Sequence, residues 1–410
     1  MADQPQKALV EYDLRPAYYD QFQCLASGCR FTCCKGWQIA FSKKDYLSLK
    51  REDGSPELNE NMKKTLRRIK KGPMSEKYYG EFYLAGGCCP LQRADGLCSL
   101  QLEKGFDALP EVCRVFPRGE FYSDSGYLER TLSPACEGVL ELLWNLPEGV
   151  DFVADPLKKE KARTLTFHDG MVLAPRFQDI RAQCIDFLQD RRYPLSRRIL
   201  LVGLVLKELA EGETDVDRWL EKARTIAEVA DPEELERSSK SEKAVHMFLN
   251  YNIRILKSFF PFGSDFDGVP EELCRALGVQ LNEETGQLTI PAAPYLAAQT
   301  RFEEYFADYD FFMENLMVSI FFHLHLPHVS SGEALWKSYV NFCNLYSFYR
   351  FMSVMSCREG AAGDKAELFR LIVCASRELL HNGARQTALR DNFFQQDSST
   401  LAHMAILLSG

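Results

Sequence analysis

The stretch CLASGCRFTCCKGW, Cys24 to Trp37, sets four cysteines, an adjacent pair among them, within eleven residues. It belongs to a wider bias: nine of the fourteen cysteines, Cys24, Cys29, Cys33, Cys34, Cys88, Cys89, Cys98, Cys113 and Cys136, fall in the first 136 residues. Gly, Pro and Asp surround them in SGC, AGGCCP, ADGLC and FPRGE. Such residues let a backbone bend around an ion. This part is therefore expected to be a small irregular α+β unit held by its cysteines. A hairpin is expected in EFYSDSGYLERTL, turning at Asp124-Ser125-Gly126, and a basic helix over Asn59 to Lys71. Cys184, Cys274, Cys343, Cys357 and Cys374 stand singly in apolar or helical sequence and read as small buried hydrophobes.

A chain of 410 residues with 46% apolar content buries a core without cross-links. The opening MADQPQKALVEYDLRPAYYD has no basic segment followed by an apolar run, so a cytoplasmic location with reduced thiols is expected. The formal charge of -9 argues against a nucleic-acid partner, since phosphate binding needs an excess of Lys and Arg. No membrane span is expected either. The most apolar segment, Phe311 to Leu326, is broken by Glu314, Asn315, His323 and His325 and falls short of the ~20 residues a bilayer requires. Nothing in the sequence specifies an oligomeric state.

After NLPEGVDFVADP the pattern changes to apolar residues three and four apart. Helices are expected over Arg176–Arg191, Leu195–Glu211, Asp215–Val229, Lys243–Phe259, Thr300–His325, Gly332–Met355 and Asp364–Leu380. Two hairpins, TLTFHDGMVLAP and VQLNEETGQLTIP, interrupt them. The expected fold is mainly α: a Cys-rich metal or cluster domain over residues 1–150, packed on a larger, mostly helical domain over residues 151–410 with a few short hairpins.

Clustered thiolates in a reducing compartment serve a structural Zn²⁺ or an iron-sulfur cluster. The spacings are Cys24-x4-Cys29-x3-Cys33-Cys34 and Cys89-x8-Cys98-x14-Cys113-x22-Cys136. They contain no C-x2-C pair, no ferredoxin run and no C-x3-C-x2-C. The clustering points to metal, and the spacing leaves zinc and iron-sulfur both open.

The blocks FQCLASGCRFTCCKGW, CPLQRADGLCSLQ, CRVFPR and LSPACE, with FFMENLMVSIFFHLHLP and ASRELLHN further on, resemble the flagellin lysine-N-methylases. The amino-terminal part of that family is related to the CxxCxxCC zinc- or iron-chelating group. The resemblance runs from about residue 20 to residue 382. It implies S-adenosylmethionine-dependent methyl transfer to ε-amines of flagellin lysines, with a [4Fe-4S] cluster on the cysteines. Cys24, Cys29, Cys33, Cys34, Cys89, Cys98, Cys113 and Cys136 occupy the family positions, and Cys88 is an extra neighbour. One cluster takes about four thiolates, and Cys29, Cys33, Cys98 and Cys113 are favoured. The chain departs from the family at Glu137, where a proline usually follows the cysteine, and at Leu380, where an acidic residue is expected before His381.

Methyl transfer needs an oriented, unprotonated amine. Glu314 and His325, eleven positions apart on an expected helix, are candidates to line a polar channel. Arg377, Glu378 and His381 share one turn of the last amphipathic helix, a trio that could hold a cofactor carboxylate or orient a base, and the family resemblance favours Arg377 and His381 among them. Trp37 could shield a cluster, and Arg118 could pair with a sulfide or a cofactor carboxylate. Hydrogen-bonded core positions and ordinary ion pairs are the competing readings of these residues. No dinucleotide fingerprint, Walker loop, H-E-x-x-H or G-x-S-x-G is present. S-adenosylmethionine would therefore occupy an unconventional pocket between the Cys-rich part and the helices. The alternatives to an enzyme are a non-catalytic iron- or zinc-binding protein and an interaction protein stapled by Zn²⁺.

Overall fold

A computed structural model of the chain describes residues 6–70, 75–123, 125–158, 163–167, 176–229, 242–259, 268–282, 284, 288–381 and 399–410. Its strands are β1 (Gln6–Val10), β2 (Tyr12–Pro16), β3 (Ile39–Phe41), β4 (Leu66–Arg68), β5 (Gly80–Phe82), β6 (Arg118–Tyr122), β7 (Tyr127–Leu132), β8 (Phe152–Pro156), β9 (Arg163–Phe167), β10 (Gln280–Leu281) and β11 (Leu288–Thr289). The amino-terminal helices are α1 (Lys43–Leu49), α2 (Pro56–Thr65), α3 (Ser99–Lys104), α4 (Glu111–Val115) and α5 (Glu137–Trp144). The carboxy-terminal ones are α6 (Phe177–Leu188), α7 (Leu195–Ala210), α8 (Val216–Val229), α9 (Glu242–Phe259), α10 (Val269–Ala276), α11 (Ala293–Tyr305), α12 (Asp310–His323), α13 (Gly332–Met355), α14 (Lys365–Leu380) and α15 (Leu401–Leu408). The chain is mainly helical, as the periodicity predicts.

Two cores form. Ile39, Phe41, Leu49, Leu58, Phe82, Leu91 and Leu100 make a small one, around the sheet β3-β5-β4 and the short helices α1 to α3. Most of the other buried apolar side chains among the described residues form a large core. Tyr18, Tyr19, Phe22, Val139, Leu140 and Leu143 belong to it although they lie early in the sequence. The reason is the sheet β6-β7-β2-β8: β2 runs parallel to β7, Tyr12 opposite Tyr127, and antiparallel to β8, Leu14 opposite Ala154. Strands on both sides of the cysteine loops thus share one sheet on the helical body.

Helix α13 is buried on nearly all sides, because its apolar residues encircle the axis instead of forming one stripe. It contacts α7, α14, α11 and α15. Gly203 makes the α7 crossing possible: a Cβ there would lie 2.2 Å from the Tyr339 ring. Ser331 and Asp364 cap α13 and α14 by accepting the amides of Ala334 and Glu367.

Several boundaries differ from expectation. The basic helix is α2, which starts at Pro56 behind the Ser55 cap and stops at Thr65; Leu66–Arg68 turns into strand β4. Pairing with β5 holds the strand, while Arg67 and Arg68 lie over the rings of Tyr83 and Tyr79 at 3.4 and 4.9 Å. The helix expected over Thr300–His325 divides into α11 and α12 around a 3-10 turn at Ala307–Tyr309. His325 therefore lies beyond a helix end. The expected hairpin of residues 164–175 is replaced, where described, by pairing of β9 with β1, and residues 168–175 lie outside the described residues. Strands β6 and β7, and β10 and β11, pair antiparallel as expected, with Asp124 of the first turn and residues 283 and 285–287 of the second outside the described residues.

Candidate metal centre and adjoining cleft

All eight family-type cysteines line one cavity of about 540 Å³. Local geometry delivers them there. Gly36 takes φ +80° to turn the chain after Cys33-Cys34. The Cys89 amide donates to the Cys34 carbonyl at 2.9 Å, joining the first two blocks. Gln92 donates from Nε2 to Thr32 Oγ1 and to the Gly96 carbonyl. Cys98 and Cys136 are the residues preceding α3 and α5, where the amides of Leu100 and Gln101, and of Gly138 and Val139, favour their thiolates. Cys88 does not line the cavity; its Sγ lies 3.2 Å from Gln92 Oε1.

The thiols divide between the two cores. Cys34, Cys89, Cys98 and Cys113 pack on the small core, and Cys136 packs on the large one. Burial pushes the Cys113 thiol up, and Cys34, Cys89 and Cys98 push it further by like-charge repulsion. Burial, with Cys34, Cys98 and Cys88 adding to it and the Leu91 amide opposing, raises Cys89 to about 12. Cys34 is raised first by its hydrogen bond with Cys33 and then by burial. On the other side burial, Glu137 and Cys136 raise Cys29 to about 12. Burial raises Cys136 to about 11, with Cys24 contributing.

Mutually repelling soft donors around one space are stabilised as thiolates only by a cation among them. The donor set is chemically that of zinc or an iron-sulfur cluster, with no carboxylate or imidazole in the lining. Among the described residues no three His, Cys, Asp or Glu side chains already stand in an ion-ligating arrangement. Loading the site would draw the thiols inward. The four favoured from sequence, Cys29, Cys33, Cys98 and Cys113, do not share one core, whereas Cys34, Cys89, Cys98 and Cys113 do.

The remaining expected site residues are dispersed. Arg118 lines the thiol cavity, lies over the Phe22 ring and donates to the Phe22 carbonyl at 3.3 Å. Trp37 donates from Nε1 to the Cys33 carbonyl at 2.8 Å and meets Phe116 and His381 edge-on. Arg377 reaches from α14 to the carbonyls of Phe31, Thr32 and Lys35, clamping the first cysteine loop. His381 meets Ser133 Oγ at 2.7 Å. Glu314 is buried between Arg191 and Arg198. His325 instead meets Glu129, so the structure does not bring Glu314 and His325 together.

A second cavity, about 910 Å³, opens beside the thiols. Strand β6 forms part of both walls: Arg118 lines the thiol cavity, and Gly119, Glu120 and Phe121 line the second. A row of rings also connects them, Trp37 to His381 at 4.9 Å and His381 to His323 at 6.3 Å. In this cleft His325 takes φ +52°, uncommon for a non-glycine residue, and stacks on Phe121 at 4.0 Å. Its Nδ1 is 2.8 Å from Glu129 Oε2. Glu129 also accepts both guanidinium branches of Arg181, at 2.8 and 2.9 Å, and Gln178 Nε2 at 2.9 Å. Burial alone would raise the Glu129 carboxyl, but Arg181 and His325 hold it below its ordinary value. His323 Nδ1 meets Thr131 Oγ1, and burial, with His381 and His325 adding to it, lowers this imidazole to about 3. Glu129, Gln178 and Arg181 escape sequence reasoning, since their partners are 49 to 196 residues distant.

A family model described as the FliB lysine N-methylase C-terminal domain matches residues 181–407. A lysine-N-methylase of Salmonella typhimurium (strain LT2) is 32% identical over 145 residues, 33% of this chain and 33% of that protein. A lysine-N-methylase of Salmonella choleraesuis is 32% identical over 140 residues, with the same shares. The flagellar biosynthetic protein FliU of Salmonella muenchen is 32% identical over 140 residues, 33% of this chain and 78% of that protein. The matched stretch thus spans about one third of the two lysine-N-methylases. No solved structure matches the chain.

Proposed function

Since this chain belongs to the FliB lysine N-methylase family, we propose that it transfers methyl groups from S-adenosylmethionine to lysine ε-amines of flagellin and carries a [4Fe-4S] cluster in the thiol cavity. The observation that carries this reading is the convergence of eight cysteines, spread from Cys24 to Cys136, on one cavity. The relatives named as lysine-N-methylases support the reaction class, and the flagellar naming of one relative supports the substrate.

In this reading Cys34, Cys89, Cys98 and Cys113 hold the cluster, because they are the thiols that share one core and repel one another. The cluster would supply iron, redox-active and Lewis-acidic, beside the reacting partners. Arg377 fixes the loop that carries Cys33 and Cys34, and Trp37 closes its back. Arg114 and Arg118 bring positive charge to the cavity wall, suited to inorganic sulfide or to a cofactor carboxylate. The same four thiols would also suit a tetrahedral zinc clasp, which makes the metal analysis decisive.

The test begins with protein purified without oxygen, and with iron, acid-labile sulfide and zinc measured on one sample. About four iron and four sulfide, lost on Cys98→Ala with Cys113→Ala but retained on Cys88→Ala, would support the cluster. One zinc and no sulfide would replace it with a structural clasp. Labelled S-adenosylmethionine and flagellin then test the reaction: label in lysine supports it, and failure to bind S-adenosylmethionine refutes it.

A further inference from the structure

Outside the thiol cavity, the most chemically specified feature is the cleft of about 910 Å³ in which His325 stands on Glu129. A carboxylate held below its ordinary value accepts hydrogen bonds and does not donate them. Nδ1 of His325 therefore carries the proton it donates to Glu129. In the neutral ring the opposite nitrogen, Nε2, is then an acceptor. Glu129 is fully buried, whereas His325 is about a quarter exposed and lines the cleft. Arg181 and Gln178 fix Glu129, and Phe121 fixes the ring by stacking. An imidazole oriented in this way by a carboxylate is the usual arrangement of a histidine that removes protons. Its left-handed backbone is the kind of local strain retained where a side chain must be aimed.

We propose that this cleft is the acceptor site, where His325 deprotonates the incoming lysine and Glu129 is its positioning residue. The inference rests on the methyltransferase reading given above. The cleft suits a lysine: Leu324 and Val329, beside buried Phe177 and Leu326, offer apolar surface to the methylene stem, and Glu120, paired with Arg130 at 3.0 Å, adds a carboxylate to the wall. The ammonium proton passes to His325 Nε2. The freed nitrogen lone pair forms the N–C bond to the methyl of a sulfonium donor, the C–S bond breaks, and its electron pair stays on sulfur as the thioether leaves. The proton then passes from His325 to water.

Among the described residues, the charged or titratable groups around His325 are Glu120 on β6 with its partner Arg130 on β7, Glu129 on β7, Arg181 on α6, His323 at the end of α12, His328 beyond it and Lys337 on α13. Lysine itself loses its proton near pH ~10.4, which gives the decisive signature. The experiment compares wild type with His325→Asn, an exchange that suits a positive φ. Methylation of flagellin is followed by mass spectrometry from pH 7 to pH 9.5, with S-adenosylmethionine binding and metal content measured on each sample. The expected result is a loss of about 10²- to 10³-fold at pH 7 that shrinks steadily as the pH rises, with binding and metal unchanged. Imidazole should restore part of the activity of His325→Gly at pH 7, and Glu129→Gln should show the same pH-dependent loss. Equal loss at every pH, or activity within about threefold of wild type at pH 7, against typical general-base effects of 10² or more, overturns the assignment alone. Wild type that binds S-adenosylmethionine and methylates no lysine overturns the assignment together with the reading beneath it.

Discussion

Replacing Arg377 with alanine should open the cysteine loop while leaving the helical body folded. The guanidinium donates to the carbonyls of Phe31, Thr32 and Lys35 at 2.5, 3.1 and 3.1 Å and lies 5.1 Å from the Trp37 ring. Hydrogen bonds from a charged donor contribute about 1.5–3 kcal/mol each. The three accepting residues are only half-buried, so water recovers part of each bond in the variant, and about 1 kcal/mol per bond is a fair net loss. The sum, about 3 kcal/mol, corresponds to a roughly 100-fold easier local opening. Helix α14 keeps its place, because Leu371, Ile372, Ala375 and Leu379 remain in the large core. Hydrogen exchange by mass spectrometry reads this directly: amides 31–37 should exchange about 100-fold faster, while those of α13 and α14 keep their protection. A folded variant whose 31–37 amides change by less than about threefold would show that the clamp contributes little and that the loop is held by its own bonds.

Glu314→Gln leaves Arg198 buried beside a neutral partner, the situation that costs about 3–5 kcal/mol in a buried ion pair; urea unfolding should show it. His323 adds a pH term. Its pKa is lowered to about 3 in the folded chain from 6.5, so between those values the unfolded chain binds the extra proton and stability falls as the solution is acidified. The slope is about 1.4 kcal/mol per pH unit at full effect, and urea midpoints at pH 7, 6 and 5 should show it reduced in His323→Asn. Glu129 acts lower on the scale. Its depressed carboxyl stabilises the fold above the ordinary carboxylate range and loses that contribution as the pH falls through its folded value, so Glu129→Gln should flatten the unfolding curve there, at a lower overall stability. Gly203→Ala puts a methyl into the Tyr339 ring and should cost about 1–3 kcal/mol by overpacking, measurable as a lowered Tm.

Much of the helical body was legible in the chain. The Gly332–Met355 helix matches its predicted bounds, and Asp364 proves to be the cap of α14. Periodicity and capping are local properties, and local sequence carries them. The misread elements failed where neighbours compete with propensity. Leu66–Arg68 became a strand because β5 offered a ladder and Tyr79 and Tyr83 offered rings to the two arginines. The Thr300–His325 pattern concealed a 3-10 break, and with it the fact that His325 leaves the helix.

Cysteine clustering in the sequence marks the first third of the chain as thiol-rich, and apolar periodicity marks the rest as mainly helical. They could not pair the thiols, because spacing along a looped backbone says little about which sulfurs face one another. The division of the cysteines between two cores, the clamp from Arg377 and the Glu129–His325 pair arise from contacts between segments 52 to 346 residues apart. Such contacts form only once sheet and helices have packed. Each side chain's partner is set by the position of the whole element that carries it, and no local pattern encodes that position.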